Sequence, residues 1–246
     1  MMTFESNIDK FYKYFAHQAI VLRAISLDYE QLEGTGPEDH QLRFYQKCLI
    51  VGALDTLAAL KFPKDTFPDL HRRNRERFVR FISEFSSWNH GNLINVPFLY
   101  DHLNSTNGKN SKLANYLRKK LNQFDPHSGI DLSPDQIDEI PENLFPMAIC
   151  EMEVEAIRFN QHYNLLYRYR NFLVHESREP GHAMEGIKDG EDSAYYHGYI
   201  NEDKWFLAYP VEMFFRLFET SVDKLRDYFI EQQIDPFYSI NDTTRW

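Results

Sequence analysis

Apolar residues recur three or four positions apart through most of the chain, the step of one helix face. Over residues 5–33, Ile8, Phe11, Tyr12, Phe15, Ala19, Leu22, Ile25 and Tyr29 keep that step, with Ser6 placed to cap the start. The Gly34-Thr35-Gly36-Pro37 cluster ends this helix. A second helix is predicted over 39–61. Its middle, Cys48-Leu49-Ile50-Val51-Gly52-Ala53-Leu54, is apolar on nearly every side, which marks a central helix, and Phe62-Pro63 stops it. A third fills 69–88, with Phe78, Phe81, Ile82 and Phe85 on one face. Arg72, Arg73, Arg75, Arg77 and Arg80 crowd its first half.

Residues 89–95 read as a loop, followed by short helices near 97–104 and 111–124. Three prolines and many acids make 125–145 an irregular connection. The longest pattern runs from about Pro146 to His175, where Ile149, Met152, Ala156, Phe159, Tyr163, Leu166, Tyr169 and Leu173 mark one face. Arg178-Glu179-Pro180-Gly181 terminates it. Residues 194–200 and 204–209 then flank a polar turn and predict a β-hairpin. Pro210 opens a last helix to about Gln232, with Phe214, Leu217, Phe218, Val222, Leu225 and Phe229 inward. The 235–246 tail reads as weakly ordered. The expected fold is all-α, a helical bundle with a small hairpin before the last helix. One domain is expected over 1–246, with 92–145 as an elaboration or insertion.

Composition narrows the function. Hydrophobic residues make up 43% of the chain and aromatics 15%, enough for a packed core and against disorder. A formal charge of −10 argues against general binding of long duplex DNA, which is driven by phosphate neutralisation, yet leaves room for a small local basic site. Cys48 and Cys150 sit in apolar contexts without a Cys-x-x-Cys spacing and read as buried free thiols of a reducing compartment. The N-terminus lacks a basic then apolar leader, and no uncharged apolar run approaches a membrane span. A cytoplasmic protein without a membrane partner is expected.

Chemistry concentrates at the end of the long helix, in Arg170-Asn171-Phe172-Leu173-Val174-His175. Asn171 and His175 are four apart and share a helix face. Arg170 and His175 are five apart, about 140° around an ideal helix, a poor grip on one atom from a straight helix. This motif at a helix end, followed by a hairpin and a closing helix, resembles the HEPN family (higher eukaryotes and prokaryotes nucleotide-binding). The family signature is Arg, four to six residues, then His, often with a polar residue directly after the Arg. Here four residues intervene and Asn171 fills the polar slot. The resemblance covers roughly residues 146–232.

The resemblance implies a metal-independent endoribonuclease, with two motifs from two subunits meeting across a two-fold axis as one composite site. It implies products with a 2′,3′-cyclic phosphate and a 5′-OH. It also implies a role as a toxin, abortive-infection or stress effector, with an antitoxin or nucleotidyltransferase as partner. The residue types suit that chemistry. An imidazole such as His175 accepts or returns a proton near neutral pH. Arg170 carries a permanent charge on a fork matched to phosphate oxygens, and Asn171 can orient phosphate, ribose or imidazole. Arg168 and Arg178 flank the motif, and Arg72 and Arg73 belong to the densest basic run. All four are candidates to hold the RNA backbone. In some members a Tyr two residues after the His is modified by a partner, but here that position is Ser177.

Two other readings stand beside this one. The first is a non-catalytic module of the same fold that binds nucleotides or partners. The second is a helical homodimer in which His175 merely faces the helix dipole and Arg170 pairs with an acid such as Glu176. No metal or cofactor is expected, because His90, His102, His182 and His197 show no His-x₃-His or carboxylate-supported spacing. Tyr195, Tyr196 and Trp205 on the hairpin are expected to pack inward rather than stack on bases.

Overall fold

The computed structural model describes residues 4–26, 38–106, 110–180, 192–199 and 203–237. The predicted stripes close into helices, and a single antiparallel hairpin is the only strand pair among the described residues. Two compact units form. The first takes residues 1–88, 173–178 and 211–246, and the second takes 89–172 and 179–210.

Three long helices and a shorter one build the first unit: α1 (Phe4–Ala24), α2 (Glu38–Lys61), α3 (Asn74–Phe85) and α10 (Val211–Gln232). The last packs against the other three. Its six predicted inward positions are all buried, and Phe229 meets Phe11 edge-on with centroids 5.3 Å apart. The core of α2 (Ile50, Val51, Leu54, Leu57 and Ala58) is buried, but Tyr45, Leu49 and Gly52 face solvent, so this helix is not covered all round. Lys61, the last residue of α2, is buried, with its ammonium 3.9 Å from the Tyr228 ring centroid and 4.7 Å from that of Phe62. Ring faces of negative potential replace water around that charge.

Two sequence expectations for this unit change. Ser6 lies inside α1, which begins at Phe4 and ends at Ala24; the Gly34–Pro37 stop lies outside the described residues. The third helix does not start at 69. A 3₁₀ turn (Pro68–Leu70) comes first, Arg72 takes a left-handed φ of 60°, and α3 begins at Asn74. That backbone reversal is incompatible with a continuous helix.

The second unit contains α4 (Val96–Ser105), α5 (Lys112–Leu121), the single turns α6 (Pro134–Ile137) and α7 (Pro141–Leu144), α8 (Glu151–Phe159), most of α9 (His162–His175), and the strands β1 (Tyr195–Gly198) and β2 (Trp205–Ala208). Its apolar centre joins Leu99, Leu103, Leu113 and Leu117 from α4 and α5 to Ala156 and Ile157 of α8. Residues 92–145 thus share one core with the helix that follows them. Tyr195, Tyr196 and Trp205 are buried, so the hairpin aromatics pack inward.

The predicted 146–175 helix is two helices. The chain leaves helical geometry at Asn160, whose Nδ2 donates back to Ala156 O at 2.8 Å. The freed backbone pairs elsewhere: Asn95 N–H donates to Asn160 O, and His162 N–H to Leu93 O. A neighbouring segment thus supplies the partners that continuing the helix would have supplied. Upstream of the break, Ile149 is 75% exposed and Met152 faces solvent, against their predicted inward face. The thiols differ from expectation too, since Cys150 is exposed and Cys48 only half-buried.

A buried polar knot holds the second unit's elements in register. The Asp138 carboxylate, just past α6, accepts from Val96 N–H (3.0 Å), the Tyr196 hydroxyl (2.7 Å) and His162 Nε2 (2.7 Å). The far ring nitrogen of His162 pairs with the Tyr209 hydroxyl at 3.0 Å. All four side chains are buried. Three further His–Asp pairs fasten the same stretch: His90 to Asp135 (2.9 Å), His127 to Asp203 (2.8 Å), and His197 to Asp131.

Removing the hub strands three donors at once. Asp138→Ala is expected to cost about 3–5 kcal/mol, the usual penalty for deleting one partner of a buried pair. Urea unfolding measures it, and a loss below about 1 kcal/mol would refute the hub role. A pH effect follows as well. Burial, and then the Asp138 charge, push the Tyr196 and Tyr209 hydroxyls well above the ordinary tyrosine value. Above about pH 10 the unfolded chain loses these protons while the folded chain keeps them, so stability is level below that pH and falls above it. Urea midpoints at pH 9 and 11 should show the fall, and Tyr209→Phe should blunt it.

Candidate functional site

The last two turns of α9 carry the motif, and the buried face of the helix sets where it points. His162, Leu165, Leu166, Tyr169 and Leu173 are buried in succession, and Tyr169 meets Tyr209 edge-on at 5.4 Å. Asn171 and His175 each lie two residues from Leu173, so both stand about 160° around the helix from it. Asn171 is accordingly half-buried and His175 exposed. The boundary between the two units cuts α9 between Phe172 and Leu173, leaving Arg170 and Asn171 in the second unit and His175 in the first.

Arg170 does curl along its own helix. Its Nη1 donates to Asn171 Oδ1 at 3.0 Å, with the guanidinium 5.8 Å from the Tyr167 ring centroid. That bond occupies the amide oxygen and orients the Nδ2 donors away from it. Glu176 pairs with Arg178 (2.6 Å). The helix ends at His175, and Ser177 takes a left-handed φ of 50°, turning the chain aside. Leu173 O, in the last turn, accepts from Cys48 Sγ at 3.7 Å.

The remaining predicted residues separate. Arg168 lies over the Phe159 ring, 4.3 Å from its centroid, and lines a cleft within the second unit. Arg72 and Arg73 are exposed on the turn before α3, in the first unit. Sequence reasoning weighed His102 only as a metal ligand and passed over Asn160 and Lys204; all three share the cleft with Arg168. They come from well-separated parts of the chain, and no local spacing announces them. Among the described residues, no three His, Cys, Asp or Glu side chains gather as a metal site; His182 lies outside those residues. No helix among them is long and apolar enough to cross a membrane.

No protein-family model, no curated protein and no solved structure matches the chain.

The Glu176–Arg178 pair is about half exposed on both sides, so water screens it. Glu176→Gln is expected to change stability by less than about 1 kcal/mol, read from the thermal midpoint. A larger loss would make this pair a structural lock on the helix end.

Proposed function

We propose that the chain is a metal-independent endoribonuclease of HEPN type, its site built from the end of α9 and completed by a second copy. The supporting observation is that one helix end presents an exposed imidazole and, one turn earlier on the same side, an amide already held by an arginine. In this reading His175 takes the proton from a ribose 2′-OH. The 2′-oxygen attacks phosphorus, and the bond to the 5′-oxygen breaks. The second copy's imidazole returns a proton to that leaving oxygen, giving a 2′,3′-cyclic phosphate and a 5′-OH. Arg170 and Asn171 hold the non-bridging oxygens, whose negative charge grows in the transition state. The need for two copies follows from the in-line displacement, in which the base at the 2′-OH and the acid at the leaving 5′-oxygen stand on opposite sides of phosphorus, so one imidazole does not serve both in the same step. A two-fold axis near the helix end brings the same patch from each subunit together.

His175→Ala is expected to lower cleavage of unstructured RNA at least about 100-fold while leaving the fold and solution mass unchanged. Mixing His175→Ala with Arg170→Ala protein should restore part of the activity if each composite site draws on both copies. A wild type that cleaves none of a varied RNA set, or activity undiminished by His175→Ala, overturns the proposal. So does a strictly monomeric mass at micromolar concentration.

A further inference from the structure

The cleft beside Arg168 lies wholly in the second unit and uses neither Asn171 nor His175. Its floor comes from one face of α4. Phe98, Asp101, His102 and Ser105 fall at helical spacing and line it, while Val96, Leu99 and Leu103 turn to the core. Phe159, at the end of α8, Arg168 on α9, and Lys204 and Trp205 at the start of β2 close the other sides. The cavity measures about 630 Å³, within the range of about 300–1,000 Å³ typical of small-molecule sites.

The wall is flat and aromatic, and one of its two cations, Arg168, is held in place. The Phe159 ring carries Arg168 over its face at 4.3 Å and meets the His102 ring edge-on at 5.6 Å. The Asn160 side chain sets the tautomer of His102. Asn160 Nδ2 donates to Ala156 O, which fixes the amide's orientation, and the same Nδ2 lies 3.2 Å from His102 Nδ1. Nδ1 is therefore the acceptor, and the ring proton sits on Nε2. Lys204 is exposed and makes no ion pair or hydrogen bond among the described residues. Two permanently cationic residues and a histidine with its proton on Nε2 thus line the cleft alongside one acid, Asp101.

We propose that this cleft binds one nucleotide, its phosphate at Arg168, Lys204 and His102 Nε2 and its base against Phe98. An anion matches the excess of donors, and a planar ring matches the aromatic walls. Asp101 accepts from a sugar hydroxyl or a base N–H. This inference does not rest on the ribonuclease reading. The nucleotide is either free or one unit of an RNA strand, and the two sources differ in what they bind with.

Binding is measured by calorimetry on the full chain carrying His175→Ala, which removes cleavage as a complication. The probes are the four nucleoside 5′-monophosphates, inorganic phosphate, adenosine and a 2′-O-methyl oligonucleotide. Saturable binding of a monophosphate, tighter than phosphate or adenosine, is expected. Lys204→Ala and His102→Ala should each weaken it roughly tenfold, since each removes a charge-assisted hydrogen bond. Lys204 is exposed, so its variant keeps the fold. An oligonucleotide no tighter than the monophosphate identifies a free-nucleotide site, and a much tighter one identifies a strand subsite. No saturable binding of any nucleotide probe overturns the proposal, as does affinity unchanged in the Lys204→Ala, His102→Ala double variant.

Discussion

Asp138 is the constraint on which the second unit turns. A buried carboxylate is tolerated only when its lone pairs are filled, and here three elements fill them. Val96 N–H anchors the start of α4, Tyr196 anchors β1, and His162 is the first residue of α9. Tyr209, reached through the His162 ring, ties down the chain leaving β2. With its first residue held, α9 has little freedom to rotate, and Tyr169 against Tyr209 fixes it again two turns later. The direction of Arg170 and Asn171 is thus set first at His162, about two turns upstream, and again at Tyr169, next to Arg170.

The same helix shows what sequence patterning reveals and what it hides. Period and turn residues locate the helices and the hairpin, because burial of one face is a local property of the sequence. The stripe from Ile149 to Leu173 reads as continuous because its apolar residues keep helical spacing across Asn160. The break depends on Leu93 and Asn95, more than sixty residues upstream, which take the backbone groups that a continuous helix would have kept. Tertiary hydrogen bonds override local period there, while Ile149 and Cys150 stand in solvent ahead of α8, which starts only at Glu151. Arg170, Asn171 and His175 were legible because six consecutive residues carry them. The Arg168 cleft was not, since His102, Asn160 and Lys204 are assembled only by folding.

Charge was partly legible in the same way. The arginines of 72–80 look like one basic stripe, but the backbone reversal at Arg72 divides them. Arg72 and Arg73 stay on the turn, whereas Arg80 pairs with Glu84 and lies 4.9 Å from the Phe62 ring centroid. Part of that run is therefore occupied with holding α3 rather than offered to a ligand. Lys61 goes further, with its ammonium enclosed by Phe62, Phe67, Phe85 and Tyr228. In a chain of net charge −10, where the cations stand matters more than how many there are.

Two arginines two residues apart on α9 illustrate that last point. Arg168 is drawn to the Phe159 face and Arg170 to the Asn171 amide, so neighbouring cations are committed to different surroundings. Two residues along a helix is about 200° of rotation, which sends their stems to nearly opposite sides. One helix can therefore place an arginine in a nucleotide-sized cleft and another in the motif at its end, with no loop between them. Whatever rotates α9 moves both, which makes its anchoring at His162 a shared requirement of the two sites.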